Sequence, residues 1–245
     1  MSLKKFNVIA GDCITVMADQ LKKKTFDLII TDPPYNIGVD YGEGPKADLK
    51  SNYGEWCKSW LALCFERLKD GGSIYVVSGQ EYGADIDLAI QQVGFTMRNR
   101  ITWRESFGVY CHNKFGRTSR PIFYAVKGKD FTFNADAVRV PSDRQTKYKD
   151  KRANPKGKII GDVWNVARVC GTHKERQAGF PTQLPSELVR QMIRASSNKG
   201  ESILDPFSGS GTVGMAAVLM GRSYIGIECN EDYLKKSKKR MSTNK

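Results

Sequence analysis

Ser202-Ile203-Leu204-Asp205-Pro206-Phe207-Ser208-Gly209-Ser210-Gly211-Thr212 is the stretch whose reading decides the fold. A short apolar strand runs into a glycine-rich turn that opens the helix Val213 to Met220, and Ser223-Tyr224-Ile225-Gly226-Ile227 follows as a second strand ending in Glu228. Strand, small-residue turn, helix, strand and terminal acid make the βαβ pattern that binds nucleosides: small residues let a ligand approach the backbone, and the acid accepts from two ribose hydroxyls. Glu228 stands 23 residues after Asp205. The turn lacks the Gly-Lys-Ser/Thr ending of a phosphate loop, and Asp205 at its start would repel phosphates, so a triphosphate is disfavoured. It would welcome a cation instead, as in a nucleoside with the sulfonium and ammonium of S-adenosylmethionine.

Far upstream, Phe26-Asp27-Leu28-Ile29-Ile30 is a short, mostly apolar run of the kind that forms a buried parallel strand, and it runs into Thr31-Asp32-Pro33-Pro34-Tyr35-Asn36. Two successive prolines lock φ and donate no backbone hydrogen bond, so the chain leaves the sheet rigidly with its carbonyls free to accept. Asp32 adds another acceptor, and Tyr35 an aromatic face. Such a cluster suits a flat group stacked on one side and bonded through an NH2, which describes a nucleobase. Taken alone, the tetrapeptide reads equally well as a proline-rich turn with Asp32 as a turn residue.

The rest of the chain alternates in the manner of one α/β domain. Phe6–Ala10 reads as a strand ending in Gly11-Asp12-Cys13, Ile14 to Lys24 as a helix, and residues 37 to 50 as a glycine-rich mobile loop beside the site. A helix is predicted over Trp56 to Leu68, ended by Asp70-Gly71-Gly72, before a strand at Ser73–Val77. Ile86 to Val93 reads as a helix, with strands at Thr96–Trp103 and Pro121–Lys127. A helix over Ser186–Ser196, capped by Ser186, and a basic helix from Glu231 to Met241 complete the pattern.

Charge points to the partner. The chain carries 39 Lys and Arg against 26 Asp and Glu, a net +13, and +12 of this lies within residues 94 to 180. That imbalance fits a polyanion. Pro141 to Lys158, with Arg144, Lys147, Lys149, Lys151, Arg152, Lys156 and Lys158 around Tyr148, has almost nothing apolar. It reads as a segment that cannot fold alone and that orders on nucleic acid. Cysteines at 13, 57, 64, 111, 170 and 229 have no framework spacing, and no secretory or membrane segment precedes them, so reduced thiols in a cytoplasm are expected.

Asp32-Pro33-Pro34-Tyr35 upstream and Asp205 to Thr212 downstream, with a basic segment between them, together resemble the amino-methyltransferases of DNA in the permuted order called the β class. The likeness covers nearly the whole chain. It implies a Rossmann-like S-adenosylmethionine-dependent methyltransferase fold, α/β, with a mostly parallel central sheet, helices on both faces and a circularly permuted motif order. Residues 131–180 would be an inserted basic target-recognition segment within a single domain, 1–245. Catalysis would fall to Asp32, Pro33, Pro34 and Tyr35. The cofactor would meet Asp12, Cys13, Asp32, Thr182, Gln183, Asp205, Pro206, Phe207, Ser208, Gly209, Ser210, Gly211, Thr212, Glu228 and Cys229. Many members have His and Lys where this chain has Phe180 and Leu184.

In that class a leading Asp is usual for adenine N6 and a leading Ser commoner for cytosine N4, so the resemblance favours adenine in duplex DNA, flipped out of the helix. Cytosine N4 methylation and a catalytically silent DNA-binding relative are the alternatives. Duplex DNA is the implied partner, a cognate restriction endonuclease an open second one, and monomer or homodimer is left open. Trp103 sits where the family has an aromatic near the target base, and reads equally as a core residue. Cys111-His112 and Cys170-Gly171-Thr172-His173 form no Cys-x2-Cys knuckle, so no metal is expected.

Overall fold

Apolar runs without polar alternation become strands covered on both faces. In a computed structural model, which describes residues 6–42, 44–105, 108 and 111–243, the order is β1 (Phe6–Ala10), α1 (Cys13–Gln20), β2 (Phe26–Thr31), α2 (Tyr53–Arg67), β3 (Leu68–Val77), α3 (Gly83–Val93), β4 (Thr96–Arg104), β5 (Ser119–Val126), β6 (Arg139–Val140), α4 (Asp143–Thr146), β7 (Lys158–Ile159), β8 (Val163–Asn165), α5 (Ser186–Ser196), β9 (Ser202–Asp205), α6 (Thr212–Leu219), β10 (Ser223–Glu228) and α7 (Glu231–Thr243). The main sheet runs β1-β10-β9-β2-β3-β5-β4-β8. Among the described pairings of this sheet, β3–β5 and β5–β4 are antiparallel and the rest parallel. First and last strands are neighbours, Phe6 opposite Tyr224 and Ala10 opposite Glu228, as a permuted order requires.

Successive residues of β2 serve opposite layers. Leu28 and Ile30 pack with Leu188, Met192 and Ile193 of α5 and Val213 and Ala217 of α6. Ile29 packs with Val16 and Met17 of α1 and Trp60, Leu61 and Cys64 of α2. The period of two in a strand thus divides one apolar run between two helical layers. From β9 the chain proceeds to β10 on one side, whereas from β2 it proceeds to β3 on the other. The adjacent carboxyl ends of β9 and β2 therefore form a topological switch point, where an open α/β sheet leaves a crevice.

Several boundaries differ from expectation for physical reasons. α1 ends at Gln20, because Lys22 to Lys24 are polar and Lys24 takes a left-handed φ of 50°. Asp70-Gly71-Gly72 does not end α2; it lies inside β3, where the β2 register shifts, and a Cβ on Gly72 would fall 2.6 Å from Leu68 Cγ. Ser186 is the first helical residue of α5 rather than its cap, and its hydroxyl donates to Glu175 at 2.8 Å. Nor is the 37–50 stretch without an element. Asp48 is buried and accepts from the amides of Asn36, Ile37, Gly38 and Val39, and Pro45–Asp48 forms a 3-10 turn.

Within the basic segment the acids act as local partners. Asp150 pairs with Arg144 at 2.7 Å and Arg152 at 3.0 Å, and Asp136 with Arg139 at 2.7 Å and Lys156 at 2.5 Å. Ser142 and Gln145 form a reciprocal capping box on α4, and β6 pairs with β7. These contacts give the segment local structure.

Gly226 of β10 packs against the glycine turn: a Cβ there would clash with the Tyr224 hydroxyl and sit 2.8 Å from Ser208 Oγ. Gly226→Ala should cost about 1–3 kcal/mol through overpacking, read as a lower denaturant midpoint. An unchanged midpoint would contradict this packing.

Candidate active site at the carboxyl ends of the central strands

A cavity of about 420 Å³ opens at the switch point. Asp12, Cys13, Asp32, Pro33, Pro34, Tyr35, Thr182, Gln183, Asp205, Pro206, Phe207, Ser208, Gly209, Ser210, Thr212, Glu228 and Cys229 all line it. Residues more than 200 positions apart in the chain thus meet at one wall. Gly211 is the exception among the expected cofactor residues: it is the N-cap of α6, at φ 72°, where a Cβ would stand 3.1 Å from Ser237 Cβ. Its role is to turn the chain behind the wall. Arg144, Lys147, Tyr148, Lys149, Lys151, Arg152, Lys156 and Lys158 do not line this cavity.

The glycine turn is fastened to the acid it precedes. Gly209 N donates to Glu228 Oε2 at 2.8 Å, Ser208 N to the Ile227 carbonyl at 2.9 Å, and Asn230 N to Glu228 Oε1 at 2.9 Å. Burial pushes the Glu228 carboxyl up against the pull of these amides. Asp205 accepts from Phe207 N at 3.1 Å and from the Tyr224 hydroxyl at 3.4 Å. Burial raises it to about 8, the Phe207 amide opposing and the charges of Asp32 and Glu228 adding to the rise. Two buried carboxylates beside a glycine turn fit a nucleoside with hydroxyls at Glu228 and a positive charge at Asp205.

Other lining groups already have duties. The Asp12 carboxylate caps α1, accepting from Ile14 N at 3.0 Å and Thr15 N at 3.1 Å. Burial holds the Cys13 thiol protonated, its pKa raised far above the ordinary value. Gln183 accepts from Gln177 N and donates to the Glu175 carbonyl, which ties its side chain to the 175–177 loop. Phe180 packs on Tyr233, ring centroids 4.7 Å apart, and Leu184 is buried, so these two positions present apolar walls. Asn230 Nδ2 donates to the Tyr41 carbonyl at 2.9 Å, which fastens the 37–44 loop to the end of β10.

Asp32 opens onto this cavity, and the Tyr35 hydroxyl donates to its Oδ1. The Tyr35 ring is buried; a Cβ on Gly79 would come within 3.3 Å of it. Loss of water raises the Asp32 carboxyl to about 6, opposed by the Arg120 charge and by the Tyr35 hydrogen bond. The Pro34 carbonyl is taken up by the Tyr53 hydroxyl at 2.7 Å. Trp103 is a core residue, donating from Nε1 to the Val166 carbonyl at 2.8 Å, and its ring packs against the Arg120 guanidinium. Sequence reasoning missed Arg120, Asp48 and Tyr41; no local motif surrounds any of them. Among the described residues, no three His, Cys, Asp or Glu side chains gather as a metal site.

Comparison with known proteins decides the family. The profile N6_N4_Mtase, described as DNA methylase, matches residues 26–239. The chain belongs to this family of DNA methylases. The DNA adenine methyltransferase YhdJ of Escherichia coli K12 is 36% identical over 96% of this chain and 82% of its own length. The type II methyltransferase M.HpaI of Haemophilus parainfluenzae is 36% identical over 91% of this chain and 70% of its own. The fold is that of M1.HpyAVI, solved as a SAM complex, with a TM-score of 0.70 at 22% identity over 96% of this chain and 98% of that one. DNA methyl transfer is thus the activity of the family, whose profile name spans N6 and N4 acceptors.

The raised Asp205 carboxyl has a consequence for stability. Its unfolded-state pKa is roughly 4, so between that pH and about 8 the folded chain holds the extra proton and loses stability as pH rises. Asp205→Asn should flatten the fall in melting temperature of the ligand-free protein between pH 5 and 8. Parallel curves for the variant and wild type would contradict the assignment.

Proposed function

We propose that the chain transfers a methyl group from S-adenosylmethionine to the N6 amino group of adenine flipped out of duplex DNA. The observation that carries this reading is Asp32, leading Asp-Pro-Pro-Tyr at the end of β2 and lining the same cavity as Asp205 and Glu228. Bound there, the cofactor supplies an electrophilic methyl group on a sulfonium. Everything else is the work of this chain's residues. Glu228 takes the ribose hydroxyls, Asp205 the ammonium, and Trp56 and Phe207, 5.7 Å apart, supply aromatic surface along the wall.

An exocyclic amine is a poor nucleophile, because its lone pair is delocalised into the ring. With its two hydrogens held by Asp32 and the Pro33 carbonyl, the nitrogen can pyramidalise and present that lone pair. Tyr35 stacks on the base, and the amine proton leaves through Asp32, which must be ionised to accept it. The leading Asp and the likeness to YhdJ favour adenine over cytosine N4.

Residues 131–180 are the proposed target-recognition segment. Tyr148, Lys149, Lys151 and Lys158 are exposed on it, whereas Arg144, Arg152 and Lys156 share Asp150 and Asp136. The first group is suited to phosphates and bases, the second to holding the segment in shape. The name of M.HpaI favours a restriction-modification setting, with a cognate endonuclease as a further partner. None of the six cysteines is in a disulfide and no helix among the described residues is long and apolar enough to cross a membrane, which together with a DNA substrate favours the cytoplasm.

Labelled methyl transfer to unmethylated duplex DNA, followed by nucleoside digestion and mass analysis, should yield N6-methyladenine; N4-methylcytosine would correct the base, and unlabelled DNA would overturn the reading. Asp32→Ala should lower transfer by roughly 10²–10⁴-fold while the fold and most cofactor affinity persist. Near wild-type turnover would remove Asp32 from the mechanism. Replacing Lys147, Lys149 and Lys151 together by Ala should weaken duplex binding across sequences and flatten the salt dependence by about 0.9 for each phosphate no longer neutralised. An unchanged slope would take the segment off the DNA backbone.

A further inference from the structure

The reading above uses Asp32 and Tyr35 but leaves unexplained the charged chain behind them. Arg120, on β5, stands opposite Trp103 of β4, its guanidinium carbon 5.3 Å from the Tyr35 ring centroid and 5.5 Å from that of Trp103. Its Nη1 donates to the Tyr35 hydroxyl oxygen at 3.1 Å, and its Nε lies 3.2 Å from Oε1 of the buried Glu105. The Tyr35 hydroxyl in turn donates to Asp32. Glu105, Arg120, Tyr35 and Asp32 thus form one continuous line. It runs from a second cavity of about 360 Å³, which shares Tyr35 with the first, to the proposed acceptor of the amine.

In this arrangement the phenol takes up an acceptor position on Asp32 Oδ1, where it competes with an entering amino group. Releasing the hydroxyl would give the amine the whole carboxylate, provided the ring keeps its plane. A guanidinium fixed between two aromatic faces and anchored by a carboxylate can do both, since it stacks on the ring and keeps a donor on the phenol oxygen. We propose that Arg120, anchored by Glu105, is a positioning residue: it holds Tyr35 as the stacking platform and takes its hydroxyl from Asp32 when the target amine enters. This rests on the methyltransferase reading above.

The alternative is a buried ion pair that serves only the fold, and the signs of the charges separate the two. Arg120 favours the ionised form of Asp32, and Glu105 disfavours it. Tyr41 and Asp205 also face Asp32, and Arg117 with its partner Glu81, together with Arg168, line the cavity on the Arg120 side. None of these is altered by the test.

The test is kcat/KM for duplex DNA against pH at saturating S-adenosylmethionine, in wild type, Arg120→Met, Arg120→Lys and Glu105→Gln. Arg120→Met should move the acid limb to higher pH and Glu105→Gln to lower pH, each by about half a pH unit or more. Arg120→Met should also lower kcat at least roughly tenfold with cofactor Kd held within about threefold. Arg120→Lys, which keeps the charge but not the planar fork, should restore the limb and only part of kcat. Coincident limbs in all four proteins, or losses that track melting temperature and cofactor Kd together, would overturn the proposal. Should Arg120→Met fail to fold, the near-isosteric Glu105→Gln decides alone: an unmoved limb overturns it. Wild type that methylates DNA while the variants share its profile rejects this inference only; wild type without activity rejects the underlying reading, and this inference with it.

Discussion

The structure depends on three carboxylates withdrawn from water at the ends of adjacent strands: Asp32 after β2, Asp205 closing β9 and Glu228 closing β10. Each is pushed up by desolvation, and the charges of Asp32 and Glu228 raise Asp205 further. A sheet that only needed to be stable would not gather acids there, because burying a carboxylate costs free energy unless a partner meets its charge. Neutral amides and hydroxyls hold these groups in position. A cationic ligand would complete them, which makes the crevice a site prepared at the expense of the empty protein.

The two halves of the crevice are built by different devices. On one side the glycine turn at Gly209 and Gly211 brings backbone amides over Glu228, and Gly226 leaves room beneath for Ser208 and Tyr224 to meet at 2.9 Å. On the other, consecutive prolines lead the chain off β2, and Tyr35 folds back onto Asp32. The order of the strands brings the two together, because neighbouring β9 and β2 send their connections in opposite directions.

Much of this was legible from residue order. Leu28–Ile30 and Ile203–Leu204 have no polar alternation, and with a turn motif directly after each they read as buried strands. The two motifs carry their own acids and turns. What was not legible depends on distant partners. Arg120 meets Tyr35 across 85 positions, and Asp48 became an acceptor for four amides only once its loop closed. The local structure of the basic segment was not legible either, because it depends on which cations Asp136 and Asp150 pair with, two apiece. Trp103 fell in the core because Val166 supplies its indole acceptor, a contact that spacing does not announce.

The central claim, that the buried acids are kept for a cationic nucleoside, is tested most directly by proton linkage. S-adenosylmethionine binding would be followed by calorimetry at pH 7 in two buffers of different ionisation heat, for wild type and Asp205→Asn. The account predicts that wild type releases protons on binding, because the ligand ionises a carboxyl that is otherwise raised to about 8, and that the variant binds more weakly and releases fewer. Equal affinity and equal proton release in the two proteins would contradict it.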